Sequence, residues 1–158
     1  MSQEKGREAV IPAGAPAPRK CTVLVVGTDD WAIEQAAAEL EEGGDRVLRC
    51  HEPGEPAFPC NAMIEGRVCP LDVGFEVVAD VRSRAVAGLT QSELGVVCGA
   101  RLSRPLVVAG LGIDFPLQRW FGRAVPAGGN LVTICEEVAA GQGGGMIPAP
   151  AFERSQSK

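Results

Sequence analysis

Short apolar runs alternate with helical patterns along the middle of the chain. Five runs predict β-strands, at residues 21–26, 46–50, 75–81, 105–109 and 123–125. The first run is apolar almost throughout, which is typical of a strand that is covered on both faces. We therefore expect a buried sheet at the centre of the domain.

Apolar residues also recur at helical spacing in three segments. They are Ile33, Ala36, Ala37 and Leu40 in the first, Leu94, Val97, Cys98 and Leu102 in the second, and Leu131, Ile134, Cys135 and Val138 in the third. Each segment predicts a helix with one apolar face. Asp29 or Asp30 is placed to cap the first helix and Asn130 to cap the third, while residues 90–93 have the form of a capping box before the second. Residues 114–121 predict a further short helix with proline in its first turn.

This alternation of strands and helices predicts an α/β fold. Parallel strands that are joined by right-handed crossovers form a sheet with helices on both faces. We expect a doubly wound, five-stranded parallel sheet with the flavodoxin-like order 2-1-3-4-5, in which a Cys/Pro-rich loop at residues 52–74 takes the place of the second helix. The domain is expected at residues 21–142, between flexible tails at residues 1–20 and 143–158.

The composition argues against several classes of protein. The 158 residues suit one domain with a buried core, and 15 basic residues against 20 acidic ones give a formal net charge of -5. An acidic protein is unsuited to a nucleic-acid duplex, since counterion release needs a cationic face. No apolar run approaches the ~20 residues that cross a bilayer, and the first residues lack the pattern of a secretory signal. We therefore expect a cytoplasmic protein without a membrane partner, whose six cysteines are thiols or metal ligands.

Residues 23–47 resemble the opening of a response-regulator receiver domain. The family pattern is an apolar strand, an acidic cluster, an amphipathic helix that ends in Leu-Glu-x-x-Gly, and a second strand. The chain has Val-Leu-Val-Val-Gly-Thr-Asp-Asp at residues 23–30 and Leu-Glu-Glu-Gly-Gly-Asp-Arg-Val at residues 40–47, without a gap between the two patterns. A fourth strand begun by proline, a short fifth strand and a final amphipathic helix extend the resemblance over most of residues 21–141. It implies a receiver-like fold and a role in signal transduction.

The resemblance also implies phosphoryl transfer to an aspartate, but most of the residues for it are missing. The family holds Mg²⁺ with two acids after the first strand, and it has a hydroxyl after the fourth strand and a lysine after the fifth. Here those positions hold Gly27 and Thr28 for the acidic pair, with Asp29 next to them, Gly110 for the hydroxyl and Val125 for the lysine. The acceptor position falls on Val81, or on Asp80 after a slip of one residue. Because metal and lysine offset the charge on the phosphoryl oxygens, we predict a degenerate receiver without this activity.

Three of the six cysteines and the only histidine lie in or beside the predicted loop. They are Cys50, His51, Cys60 and Cys69. Thiolate and imidazole are the ligands that Zn²⁺ prefers, and an iron–sulfur cluster is also held by thiolates. The loop leaves the carboxyl edge of the second strand, which is where such sheets bind ligands. The sequence therefore predicts a metal site with these four residues, or with an acid in place of Cys50.

Two alternatives to a metal site stay open, because the intervals between these cysteines differ from a paired C-x-x-C motif. In one, the cysteines pack as small apolar residues and His51 is a polar strand end. In the other, Cys60 and Cys69 form a reversible disulfide that responds to redox conditions. The remaining cysteines fall on predicted core faces, and we assign them to packing; they are Cys21, Cys98 and Cys135.

Charged side chains also follow the first and third predicted strands. Arg82 and Arg84 leave the third strand at the same edge of the sheet at which Asp29 follows the first. Arginines in this position can clamp an anion or the carboxylate of a partner. We predict Asp29, Asp80, Arg82 and Arg84 as a group that binds an anion or a partner.

These observations favour two functions. The first is a non-catalytic regulatory or protein-interaction module with a pseudo-receiver fold, whose partner is another protein. The second is a metal-binding protein that holds zinc or an iron–sulfur cluster, or a thiol redox sensor, and that uses residues 50–69. Enzymatic activity is not expected, since the chain has one histidine and lacks a nucleophile-elbow motif.

Overall fold

The computed structural model describes residues 20–110, 121–125 and 129–141. Within these ranges, five parallel strands form one sheet in the order β2-β1-β3-β4-β5. The strands are β1 (Thr22–Gly27), β2 (Arg46–Arg49), β3 (Val77–Arg82), β4 (Leu106–Gly110) and β5 (Phe121–Val125). The predicted fold class and strand order are confirmed, and the topology is that of a flavodoxin-like sheet.

Helices flank both faces of this sheet. In the described residues they are α1 (Asp30–Glu42), α2 (Pro70–Val73), α3 (Gly95–Arg101) and α4 (Leu131–Ala139), with 3₁₀-helices at Asn61–Met63 and Gln91–Glu93. The Asp29 carboxylate caps α1 by accepting a hydrogen bond from the N–H of Ala32 at 2.9 Å. Asn130 caps α4 in the same way. Both predicted caps and the predicted capping box at residues 90–93 are thus confirmed.

Helices α1 and α4 cover one face of the sheet. Alternate residues of the central strands point to this face, because successive side chains of a strand lie on opposite sides. The strand residues of this core include Val23, Val25, Val77, Ala79 and Val107, and the helical ones include Ile33, Ala36, Leu40, Leu131 and Ile134. Cys21 and Cys135 are buried in the same core, in agreement with their assignment to packing.

Helix α3 covers the other face, and it packs through its smallest residues. Its buried residues are Gly95, Val96 and Gly99, while Leu94, Val97 and Leu102 are 46%, 43% and 46% exposed. A Cβ at Gly99 would lie 2.3 Å from Cγ2 of Val78 on β3. Because the helix backbone itself contacts the sheet, the large apolar side chains turn outward. The predicted apolar face of this helix is therefore wrong, although the helix itself is present.

A long, largely irregular segment connects β2 to β3 across the same face. It contains the 3₁₀-helix Asn61–Met63 and the four-residue helix α2, so the predicted loop at residues 52–74 is confirmed apart from these two short turns. Pro70 begins α2 at a position where the missing N–H has no intrahelical role. The predicted helix at residues 114–121 and the predicted tails lie outside the described residues, except for Lys20 and for Phe121, which begins β5.

Candidate functional site

Four cysteines from four separate segments line one cavity beside the carboxyl end of β2. Cys50 follows β2, Cys60 precedes the first 3₁₀-helix, Cys69 precedes α2, and Cys98 lies within α3. The cavity has a volume of about 290 Å³. This is roughly ten times the volume that one water molecule occupies in the liquid, for which the usual figure is about 30 Å³. We call it the thiol cavity, and it is large enough for more than a single ion.

Gly95 brings α3 close enough to the sheet for Cys98 to share a cavity with Cys50. A Cβ at Gly95 would lie 3.0 Å from Sγ of Cys50 and 2.7 Å from Cγ1 of Val26. Any larger residue would therefore push the start of α3 away from both. Cys98 follows three residues later, which places it on the next turn of the same helix. The glycine thus sets the distance between the strand side and the helix side of the thiol cavity.

Cys60 and Cys69 both stand at N-cap positions with extended backbone. Neither thiol accepts a hydrogen bond from the helix that it precedes. Residues before proline are restricted to extended conformations, and Cys69 precedes Pro70. Each thiol therefore lies immediately before a short helix of the loop, and both contribute to the wall of the thiol cavity.

The thiols of the cavity act on one another electrostatically. Burial raises the pKa of Cys50 to about 12, and the neighbouring thiols of Cys98, Cys69 and Cys60 add to this rise. Burial also raises the pKa of Cys98, again with a contribution from Cys69 and Cys60. Each thiolate disfavours the next in this apolar setting. Several thiolates would coexist there only beside a positive charge, such as that of a bound metal.

His51 lies on the wall of the same cavity, and a hydrogen bond to the Asp30 carboxylate holds its ring in place. Its Nε2 lies 3.0 Å from Oδ1 of Asp30, at the start of α1. The other carboxylate oxygen of Asp30 accepts a hydrogen bond from the N–H of Gly54 at 3.0 Å. These two bonds lower the pKa of Asp30, the one to His51 being the larger cause. Asp30 therefore anchors the beginning of the loop to α1.

A second ion pair, between Arg67 and Glu55, joins two parts of the loop. The guanidinium of Arg67 donates two hydrogen bonds to the Glu55 carboxylate, at 3.1 and 2.9 Å. Both side chains are partly exposed, so the pair adds little to the free energy of unfolding, and its main effect is on the conformation of the loop. It joins the stretch before Cys60 to the stretch before Cys69. These two pairs of residues, Asp30–His51 and Glu55–Arg67, thus help to set the path of the loop around the thiol cavity.

The predicted metal ligands Cys50, His51, Cys60 and Cys69 all line the thiol cavity. In residues 20–110, 121–125 and 129–141, however, no group of three or more His, Cys, Asp or Glu side chains is arranged to hold a metal ion. In a tetrahedral zinc site the sulfurs lie about 3.8 Å apart, because each Zn–S bond is about 2.3 Å long. The thiols therefore surround a common space without forming a site for one ion.

The predicted anion-binding residues divide into two groups, of which the first is buried. Asp80 and Arg82 point from β3 towards the α3 side of the sheet, and they are 0% and 2% exposed. Nε of Arg82 lies 3.1 Å from Oε2 of Glu93, and Glu93 is also fully buried. The guanidinium also donates to the carbonyl oxygens of Val86 and Gly88, at 3.1 and 2.9 Å. Asp80 and Arg82 are thus engaged inside the domain.

Asp80 and Glu93 form a carboxyl pair that needs a proton. Burial raises the pKa of Asp80 to about 9, and its contact with the Glu93 carboxyl group is the next cause. Arg82 opposes this rise. Neither oxygen of Asp80 accepts a hydrogen bond from an N–H or O–H donor among the described residues. Because two carboxylates cannot bond to each other, one of the pair carries a proton at neutral pH.

The second group joins the carboxyl ends of β1 and β3. Oγ1 of Thr28 accepts a hydrogen bond from the N–H of Ser83 at 3.0 Å, and the Ser83 hydroxyl donates to the Asp29 carboxylate. This bond and the one from the N–H of Ala32 lower the pKa of Asp29. Arg84 reaches the carbonyl oxygen of Thr28 at 3.5 Å. Asp29 and Arg84 therefore lie at one edge of the sheet, as their positions after β1 and β3 predict.

Sequence reasoning missed three residues that shape these two sites. Cys98 was expected in the core, but it lies on the wall of the thiol cavity, because α3 packs against the sheet through Gly95 and Gly99. Glu93 was recognised only as part of a capping box, although its side chain is fully buried. Asp30 was expected only as an N-cap. Two glycines four residues apart in a helix are the signal that could have shown which side of α3 faces the sheet.

Comparisons with models of protein families, with curated proteins and with solved structures find no match for this chain. Among the described residues, no helix is long and apolar enough to cross a membrane.

Proposed function

We propose that this domain is an iron–sulfur protein whose cluster occupies the thiol cavity. One observation carries the proposal: Cys50, Cys60, Cys69 and Cys98 come from four separate segments and line a single cavity. Four thiolates are the usual protein ligands of both [2Fe–2S] and [4Fe–4S] clusters. The proposal adds Cys98 to the loop cysteines, and it leaves Cys21 and Cys135 in the core.

The spacing of the thiols favours a cluster over a single zinc ion. All ligands of one ion converge on a single centre, and no three ligand side chains in the described residues do so. In a four-iron cluster each thiolate binds a different iron, so the sulfurs stand around a larger volume. The volume of about 290 Å³ and the origin of the thiols in four separate segments agree with that requirement.

The electrostatics of the thiol cavity also favour a ligand that carries positive charge, such as the iron ions of a cluster. Burial and the neighbouring thiols raise the pKa of Cys50 to about 12, so this thiol keeps its proton at neutral pH. Cluster binding would replace these protons with iron and would release one proton from each thiol that coordinates. The regulatory role predicted from the receiver-like topology stays a prediction. It is compatible with a cluster that replaces phosphorylation as the source of the signal.

The proposal is tested by purifying the full chain without oxygen and supplying ferrous and ferric iron together with sulfide. We expect stoichiometric iron and sulfide, with visible absorption bands from thiolate-to-iron charge transfer. Protein that holds no iron and shows no such band would overturn the proposal. Formation of a Cys60–Cys69 disulfide when the same iron-free protein is exposed to oxygen as the oxidant would instead support the redox alternative.

Single variants test the ligand set. We expect Cys60→Ser, Cys69→Ser and Cys98→Ser each to lose cluster stability, with iron released to a chelator about tenfold faster or more. Cys135→Ala is the matched control, because Cys135 is buried between α4 and the opposite face of the sheet. Circular dichroism of each variant separates ligand loss from unfolding. If Cys98→Ser holds iron as firmly as Cys135→Ala, Cys98 is not a ligand.

A further inference from the structure

His51 combines burial, a fixed ring and an unpartnered nitrogen on the wall of the thiol cavity. It is the only histidine of the chain, and 8% of its surface is exposed. Its Nε2 faces the Asp30 carboxylate at 3.0 Å. Its Nδ1 is buried and has no hydrogen-bond partner among the described residues. A buried polar atom in this condition is costly unless something else satisfies it.

The partner of Nε2 determines which nitrogen carries the proton. A carboxylate can only accept, so Nε2 donates to Asp30, and in the neutral ring Nδ1 then holds a lone pair. Histidines that bind metals almost always donate their other ring N–H to a carboxylate or carbonyl group in this way. Asp30 lies outside the cavity wall, whereas His51 is part of it. The bond to Asp30 therefore leaves the Nδ1 edge of the ring for a ligand within the cavity.

We propose that Nδ1 of His51 is a ligand of the metal centre in the thiol cavity and that Asp30 is its positioning residue. This inference depends on the proposed iron–sulfur site and specifies its ligands. The cavity then offers five donors, while a cluster takes four protein ligands. Because the variants above treat Cys60, Cys69 and Cys98 as ligands, Cys50 is the cavity thiol that stays protonated when His51 is bound.

The single histidine makes this ligand accessible to selective labelling. In protein grown with ¹⁵N-histidine, the reduced cluster is examined by pulsed electron paramagnetic resonance. We expect a strongly coupled nitrogen whose frequencies change with the isotope, since only His51 carries the label. A loaded cluster without any label-dependent coupling would overturn this inference and leave the proposed function intact. Failure of the wild-type chain to bind iron would overturn both.

Two further measurements separate ligation from a structural role. In the iron-free, labelled protein, ¹⁵N nuclear magnetic resonance should show Nε2 protonated and Nδ1 unprotonated; the opposite tautomer contradicts the proposed ligand atom. In the loaded wild type, mass spectrometry after alkylation should find one cavity thiol modified, and four protected thiols would contradict the ligand count.

Variants of both residues complete the test. We expect His51→Gln to abolish the nitrogen coupling, and Asp30→Asn to retain it while iron release becomes about 10- to 100-fold faster. Asp72→Asn is the matched control, since it removes an exposed carboxylate from α2, the helix that follows Cys69. If Asp30→Asn and Asp72→Asn release iron equally fast, Asp30 has no positioning role.

Discussion

Arg82 and Glu93 form an ion pair in the interior of the domain, with Nε and Oε2 separated by 3.1 Å and both side chains shielded from solvent. The pair joins β3 to the turn that precedes α3. Asp80 lies beside it, and burial and the neighbouring Glu93 carboxyl group raise the pKa of Asp80 to about 9. The flavodoxin-like sheet therefore encloses a buried electrostatic cluster at the end of β3.

Removal of Arg82 should destabilise the domain strongly. Arg82→Met would leave Glu93 as a buried, uncompensated charge, and loss of one partner of a buried pair costs about 3–5 kcal/mol. Denaturation by urea measures the change in the free energy of unfolding. Arg67→Met is the matched control, because it breaks an exposed Arg–Glu pair and should have little effect. Equal losses in both variants would contradict the importance of burial.

Asp80 should make the domain less stable as the pH rises. Its folded-state pKa is raised to about 9 from an ordinary value of 3.8, so between these pH values the folded state retains a proton that the unfolded state has lost. The free energy of unfolding then falls with pH, by at most about 1.4 kcal/mol per pH unit. Asp80→Asn removes this proton, and its amide can still donate to Glu93. Urea denaturation at several pH values should show a flatter profile for the variant; parallel profiles would contradict the shared proton.

Gly99 should not tolerate even a methyl group. Alanine normally favours a helix over glycine by about 1 kcal/mol, but the new Cβ would lie 2.3 Å from Cγ2 of Val78. Overpacking of this kind costs about 1–3 kcal/mol, so Gly99→Ala should lower the free energy of unfolding. In the double variant with Val78→Ala, the clash disappears, and the loss should be smaller than the sum of the two single losses. Additive losses would contradict the close contact between α3 and β3.

Five of the six thiols of the iron-free protein should react in two classes. Cys60, Cys69 and Cys98 are partly exposed, whereas Cys21 and Cys135 are buried, and burial raises the pKa of both. Because the thiolate is the reactive form, alkylation should modify the first three in the folded protein and the last two only after unfolding. Peptide mass spectrometry after timed alkylation measures the order. Early modification of Cys135 would contradict its place in the core.

The hydrophobic pattern predicts the sheet and the helices α1 and α4 well, because these elements bury one continuous apolar run or face. α4 is the clearest case, since Leu131, Ile134 and Val138 are buried as their spacing predicts. α3 is the exception. Its apolar residues Leu94 and Val97 point outward, because the contact with β3 is made by glycines, which carry no hydrophobic signal.

Only the part of the candidate site that lies close together in the sequence was predictable. Cys50, His51, Cys60 and Cys69 stand out in the sequence because they gather in a loop that replaces a helix. Cys98 stands almost thirty residues further along, within a helical pattern that resembles a core face. Only the approach of α3 to β1, through Gly95, makes it a neighbour of Cys50.

The sequence by itself thus determined the positions of the strands, the helix caps and the loop that carries three cysteines and the histidine, since local spacing and alternation encode these features. The strand order was expected from the fold class that this alternation predicts. The tertiary structure alone decided which side of α3 meets the sheet, that Asp80 and Arg82 are buried with Glu93, and that four thiols line one cavity. These features depend on distances between segments that are remote in the chain. Such distances follow from how closely two backbones approach, and hydrophobic periodicity does not contain that information.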